Sequence, residues 1–316
     1  GRYVDEKFPL YDGEAPAGNV RRRFYEAGIE YGFALEASPR RTRRMTASLM
    51  NQRADFSAFP GESAAFLPGV DQLTLARIGA EYQDNDFIKQ RRIQKLSRDE
   101  DFNMGFGIHP SVGYAPHWRA LGSTGERLLP EISVRKGFSS LLGQFVILRA
   151  NYRSAYVNGG NGARLASFDG QYFCRYFPRH TVAARLGLDH GWRLDPGGGL
   201  TLGEDTGLRG YRAGQFKGNR RLLFSAEDRI FFVEDLWKLI DAGGVVFFDA
   251  GYSWSAQEAL RSSDLRSSVG IGLRLGATRS AGNDPVRIDL AHALNDNHLP
   301  SQWTISVQAG HSFGPN

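Results

Sequence analysis

Near the end of the chain Trp303, Ile305, Val307, Ala309 and Phe313 recur at every second position, with Gln302, Thr304, Ser306, Gln308, Gly310 and Ser312 between them. Only His311 breaks the apolar set. Successive side chains of an extended backbone point to opposite faces, so this period of two makes a strand with one apolar and one polar face. The pattern returns along the whole chain. In 23–35 Tyr25, Ile29, Tyr31, Phe33 and Leu35 alternate with Phe24, Glu26, Gly28, Glu30, Gly32 and Ala34. In 102–114 Phe102, Met104, Phe106, Ile108, Val112 and Tyr114 alternate with Asn103, Gly105, Gly107, His109, Ser111 and Gly113, and 265–277 reads likewise.

Fourteen segments fit this period: 23–37, 43–58, 72–83, 86–98, 102–116, 127–140, 144–158, 164–177, 179–192, 219–233, 243–254, 265–279, 285–294 and 302–313. Amphipathic helices are scarce, with only Glu234–Ile240 suggesting a helical turn. The connections 158–162, 195–199 and 281–285 are glycine-rich and turn-like. Two architectures use such strands. A soluble sandwich buries its apolar face and wets the other, whereas a membrane barrel turns the apolar face to lipid and lines its lumen with polar and small residues.

The segments favour the barrel. Strands of about 5–6 residues are usual in soluble sheets, while about 9–11 residues span a bilayer, and most of these segments are longer still. Glycine, with 38 copies, crowds the polar parity together with serine and charges of both signs. Aromatics stand near strand ends at Tyr25, Tyr114, Trp192, Tyr252, Trp254, Trp303 and Phe313, as interfacial girdles require. Closure satisfies the backbone groups that lipid cannot. The expected fold is therefore all-β: one transmembrane antiparallel barrel domain over 1–316.

Other classes find no support. No run approaches 18 apolar residues, so no membrane-spanning helix is expected. The opening segment GRYVDEKFPLYDGEAPAGN lacks the apolar core of a signal peptide and reads as a mature or trimmed product. Cys174 stands alone, which excludes a disulfide framework. The net charge of +5 is spread along the chain without a nucleic-acid-binding signature. GxSxG and HExxH are missing, and 197–203 lacks the Gly-Lys-Ser/Thr of a phosphate loop. No enzyme activity, cofactor, metal site or nucleic-acid partner is expected.

The longest glycine-rich connection, between 192 and 219, contains Gly207, Leu208, Arg209, Gly210 and Tyr211. The strands after it carry Glu227 and Asp249 on the polar parity, so both carboxylates point into the barrel from neighbouring strands. A loop arginine folded inward can pair with both. A guanidinium makes charge-assisted, forked bonds that lysine cannot, and the flanking glycines let the backbone pass close to the wall. Asp228 falls on the lipid parity and is tolerable there only near a strand end.

The order of motifs from 200 to 313 resembles the BamA/TamA superfamily of outer-membrane assembly and translocation barrels, the bacterial surface antigen type. The resemblance rests on Leu208-Arg209-Gly210-Tyr211, then Gly218-Asn219 with an inward Glu227, then Val246-Phe247-Phe248-Asp249-Ala250-Gly251. Arg266-Ser267-Ser268-Val269-Gly270-Ile271-Gly272, Val286-Arg287-Ile288-Asp289-Leu290-Ala291 and a terminal strand ending in Phe313 follow in order. A stretch from Arg91 to Gly105 is similar more loosely. The resemblance implies a lumen-docked arginine loop and sixteen strands, with two short or irregular ones inside 1–22 or 52–90. It also implies a seam closed by the last strand, with Trp303, Ile305, Val307, Gly310 and Phe313, against a first strand near 23–35.

Two departures stand out: nothing in the chain resembles the family's POTRA repeats, and three residues follow the terminal aromatic. The implied location is the bacterial outer membrane. The implied partners are outer-membrane lipids and lipopolysaccharide, and polypeptide clients or accessory outer-membrane and periplasmic proteins. The implied function is insertion of outer-membrane proteins through a lateral gate. The alternatives are a two-partner secretion pore and a transport-inactive structural barrel that scaffolds a complex.

Overall fold

The alternating segments pair into one antiparallel sheet, because each leaves a full row of N–H and C=O groups that only neighbouring strands can satisfy. The computed structural model describes residues 1–12, 15–58, 70–117, 123–140, 143–194, 199–255, 258, 261–277, 285–295 and 302–310. Fourteen strands make the principal sheet in meander order. They are β1 (Arg2–Asp12), β2 (Ala15–Ala37), β3 (Arg41–Ala58), β4 (Asp71–Asp84), β7 (Gly107–Ala115), β8 (Arg127–Ser139) and β9 (Gln144–Val157). The second half is β10 (Gly160–Phe177), β11 (His180–Trp192), β14 (Arg220–Leu236), β15 (Ile240–Trp254), β16 (Arg266–Ala277), β17 (Val286–Ala293) and β18 (Trp303–Ala309). Two hairpins stand outside the wall: β5 (Phe87–Arg91) with β6 (Asp99–Asn103), and β12 (Leu200–Leu202) with β13 (Phe216–Gly218).

The burial pattern is inverted relative to a soluble sheet. On β15 Val245, Phe247 and Asp249 are buried while Val246 and Phe248 are exposed. Ile29 and Ile305 are each 72% exposed, and Tyr31, Val307 and Ile271 belong to the same outer face. The concave face holds the buried ion pairs and the packed clusters. The wall wraps around its contents: a single hairpin, β5–β6, is bound by residues of β9, β10, β11, β14 and β15.

The ladder has the number of strands read from alternation, but not the same fourteen. Segment 86–98 does not join the wall; its first half is β5, which pairs only with β6. β1 takes the vacated place and lies within 1–22, where a further strand is expected. The sixteen implied by the resemblance exceed the wall by two. The stretch 102–116 is not one strand either. β6 ends at Asn103, β7 begins at Gly107, and the chain turns between them where the Met104 N–H donates to the Asp86 carbonyl at 2.6 Å. Phe102 and Met104 consequently lie in a buried cluster with Phe145 and Phe173 and do not face outward. Periodicity tells which residues share a face; it does not tell which face meets protein. At 234–240 there is no helical turn: β14 runs to Leu236, and Trp237–Leu239 form the turn into β15.

Candidate functional site

The connection after β11 folds inward. Its base is the β12–β13 pair, followed on the way in by a 3-10 turn at Glu204–Thr206. The Leu208 N–H donates to the Gly203 carbonyl at 2.9 Å and the Glu204 N–H to the Tyr211 carbonyl at 3.1 Å, closing a compact tip. Leu202, Leu208, Tyr211, Leu223 and Ala293 pack together with Phe216 beside them. The Tyr211 hydroxyl donates to the Ser267 carbonyl at 2.9 Å and lies 3.0 Å from the Asn295 amide oxygen. The loop is thus held by apolar burial and by bonds to β16 and the segment after β17.

This packing places Arg209 between the two predicted carboxylates. Its Nε and Nη2 donate to the two Asp249 oxygens at 2.7 and 2.8 Å, and Nη1 donates to Glu227 Oε1 at 2.7 Å. The guanidinium also lies 3.5 Å from the centre of the Phe247 ring, a cation–π contact. Ser225, the ladder partner of Asp249, donates its hydroxyl to Asp249 Oδ1 at 2.7 Å. Arg209, Glu227 and Asp249 are all buried, and Asp249 is fully so. Burial opposes the charge on Arg209, but Asp249 and Glu227 outweigh it and raise its pKa above the ordinary value. The pairing continues outward: Arg229 Nε donates to Glu227 Oε2 at 2.8 Å, and Arg274 Nη1 to Asp289 Oδ1 at 2.5 Å. Asp289 also lies 3.8 Å from Arg209 Nη1. Three guanidinium groups and three carboxylates therefore neutralise one another inside the wall.

Gly210 has φ +92°, and a Cβ there would stand 3.1 Å from Ser268 Cβ. Gly207 also has a positive φ, at +114°, and closes the 3-10 turn. Gly210→Ala combines a left-handed cost of roughly 1–2 kcal/mol with that contact. It is expected to lower the urea midpoint of the detergent-solubilised protein, and an unchanged midpoint would contradict the close docking.

Sequence reasoning missed a second inward element. The β5–β6 tip enters near the turns that join β10 to β11 and β14 to β15. Ile93, Phe102 and Met104 pack on Phe145, Ile147, Phe173 and Ala183 of the wall. A Cβ on Gly137 would stand 2.6 Å from Met104 Cα, so that wall position must be bare. Arg91 and Arg92 both pair with Glu234. Ser97 donates to Asp241, Thr181 donates to the Arg92 carbonyl, and Arg229 Nη1 donates to the Ile93 carbonyl at 2.6 Å. Glu100 organises the tip by accepting the N–H groups of Ile93 and Gln94 at 2.9 and 3.0 Å. Burial raises the pKa of Glu100 in spite of these donors. Arg229 joins the two inward elements: through Glu227 it reaches Arg209, and through Ile93 it reaches the hairpin. The signal in the sequence was the loose similarity of Arg91–Gly105, which periodicity mistook for wall.

The predicted seam residues face away from this centre, although Thr304 of the same strand donates its hydroxyl to the Gly210 carbonyl at 3.3 Å. Trp303, Ile305 and Val307 are exposed on the outer face of β18, and Gly310, at φ +103°, donates its N–H to the Pro285 carbonyl at 3.0 Å. Phe313 lies outside the described residues. β18 pairs with β17 on one side, and the first strand of the wall is β1, not 23–35, which forms part of β2. Asp228 is on the outer face as expected, where Tyr176 Oη and His180 Nδ1 each approach it at 3.1 Å near the β10–β11 turn.

No protein-family model matches the chain, and no curated protein matches it. Among solved structures it is similar to CdiB from Acinetobacter baumannii, at 12% identity and a TM-score of 0.46, over 90% of this chain and 49% of that one. It is also similar to BamA from Haemophilus ducreyi lacking POTRA domains 1–3, at 11% identity and a TM-score of 0.38, over 97% of this chain and 74% of that one. The chain spans about half the length of CdiB.

Proposed function

We propose that this chain is an outer-membrane barrel of the insertase and translocase type, which accepts client β-strands at the seam between β1 and β18. The observation that carries this reading is the pair of sheet ends: among the described residues, β1 pairs only with β2 and β18 only with β17. An edge strand with unpaired backbone groups is a template for strand addition. The exposed outer row supports a lipid environment, since an apolar face of this extent is far larger than a soluble monomer tolerates. The polar network inside ties β14, β15, β16 and β17 together, which supports a wall that is stiff up to the strand paired with β18. The loop touches one side of that seam, since the Gly210 carbonyl accepts from Thr304 Oγ1 of β18 at 3.3 Å, so a displacement of β18 would be felt at the loop.

The test is a cysteine scan pairing positions 3–6 of β1 with positions 303–307 of β18, assayed by insertion of a nascent barrel protein into proteoliposomes. Crosslinked protein is expected to lose insertion and to regain it on reduction. Full activity in the crosslinked state would reject the gate and favour passage of a polypeptide through the lumen, the two-partner secretion reading.

A further inference from the structure

The outer face carries a feature that the seam does not use. On β8 to β15 the ladder sets Ile132, Tyr152, Ala166, His190, Arg220 and Trp254 in one continuous row. The next row places Ala150 beside Phe168 and Leu188. The two alanines are thus diagonal neighbours among large side chains, and the missing volume is a shallow groove of about 470 Å³. One end of the groove is cationic. Arg220 makes no ion pair among the described residues; its Nε contacts His190 Nε2 at 3.4 Å. His190 stacks on Trp192 at 3.9 Å. Arg164, the ladder partner of Trp192, has an Nε that is buried without an acceptor among the described residues.

An arginine on a lipid-facing parity is costly at the bilayer centre and becomes cheap near the interface. It becomes favourable where an anion meets it, since charge-assisted bonds to phosphate are strong and arginine forks suit them. The two arginines lie on either side of β11 and two residues out of register, roughly 12 Å apart at ordinary strand spacing and rise. They sit at the end of the strands that leads into the long connections, beside Trp192 and Trp254, where a lipid headgroup would be. The apolar part of the groove runs from that end toward the middle of the wall. A charged rim above an apolar slot is complementary to an amphiphile with an anionic head.

We infer that this groove binds an acyl lipid whose phosphate headgroup carries net negative charge, with its phosphate on Arg220 flanked by Arg164 and one acyl chain over Ala150 and Ala166. The inference rests on the membrane-barrel reading above. A lipid held there would brace β9, β10, β11 and β14, the part of the wall on which the β5–β6 hairpin docks.

The experiment reconstitutes the full chain in nanodiscs of dimyristoylphosphatidylglycerol and dimyristoylphosphatidylcholine in equal amounts and counts retained lipids by native mass spectrometry. Wild type is expected to retain the phosphatidylglycerol preferentially. Arg220→Gln is expected to reduce that preference by roughly tenfold, as loss of one charge-assisted contact implies. Ala166→Phe, which fills the slot and leaves both arginines, is expected to reduce retention while the protein still shows the heat-dependent gel mobility of a folded barrel. Inorganic phosphate is expected not to displace the lipid. Equal retention of the two lipids, or unchanged retention in both variants, overturns the inference, and displacement by phosphate alone reduces the groove to an anion site. Failure to insert into nanodiscs at all would instead reject the membrane reading.

Discussion

Arg209→Ala is expected to cost the barrel roughly 3–5 kcal/mol, the range found when one member of a buried ion-paired set is removed. The variant loses three short bonds at once, two to Asp249 and one to Glu227. What remains is worse than a missing bond. Glu227 keeps Arg229, but Asp249 keeps only the Ser225 hydroxyl and the backbone N–H of residue 209 at 3.3 Å, so its fully buried negative charge loses its counter-ion. Urea titration in detergent, read by gel mobility of unheated samples, should show a large drop in midpoint or in the assembled fraction. Arg209→Lys should recover part of the loss, because an ammonium restores charge but cannot fork across Asp249. Arg212 is exposed and sits three residues away, so Arg212→Ala should change stability by no more than about 0.5 kcal/mol. Equal midpoints for Arg209→Ala and wild type would remove the loop from any structural role.

Excising the β5–β6 hairpin is expected to raise the conductance of the reconstituted barrel. The hairpin and its tip occupy the concave face across several strands, and its Phe102 rings against Phe145 and Phe173 at 4.8 and 6.1 Å between centres. The wall can be rejoined without strain, because the Asp84 N–H already donates to the Phe106 carbonyl at 2.8 Å where the insertion begins and ends. Replacing 86–104 with a two-residue turn therefore preserves the β4–β7 pairing while emptying that part of the lumen. Planar-bilayer recording should give a larger conductance than wild type. The deletion also strips Arg229 of the Ile93 carbonyl, yet leaves its bond to Glu227, so Arg209 should stay docked. An unchanged conductance, with the variant still heat-modifiable, would show that the hairpin does not obstruct the path.

The sequence made the wall legible because alternation is a local property. Long strands with apolar and glycine-rich faces were readable at 144–158, 219–233 and 243–254, each within a few residues of β9, β14 and β15. The candidate site was legible for the same reason: parity alone aligned Glu227 and Asp249, and a flexible loop carried one arginine between glycines. The hairpin was not legible. Phe102 and Met104 alternate with polar residues as faithfully as any wall strand, and only their contacts with Phe145 and Phe173 reveal that they face inward. β1 is absent from the fourteen periodic segments, and expected only as an irregular strand within 1–22, because Arg2–Asp12 mixes charges into both parities.

What the sequence determined by itself is therefore the strand repeat, the division of side chains between two faces, and the chemistry available on each. These follow from backbone geometry, which fixes directions over two residues wherever the strand lies. The tertiary structure alone decided which elements leave the wall and which partners meet across it. Arg229 is the plainest case: its position on the inner face and its bond to Glu227, two residues away on the same strand, are local, but its bond to the Ile93 carbonyl, 136 positions away in the chain, exists only once the sheet has curled around the hairpin. Contacts of that range depend on how a whole sheet closes, and no local period encodes them.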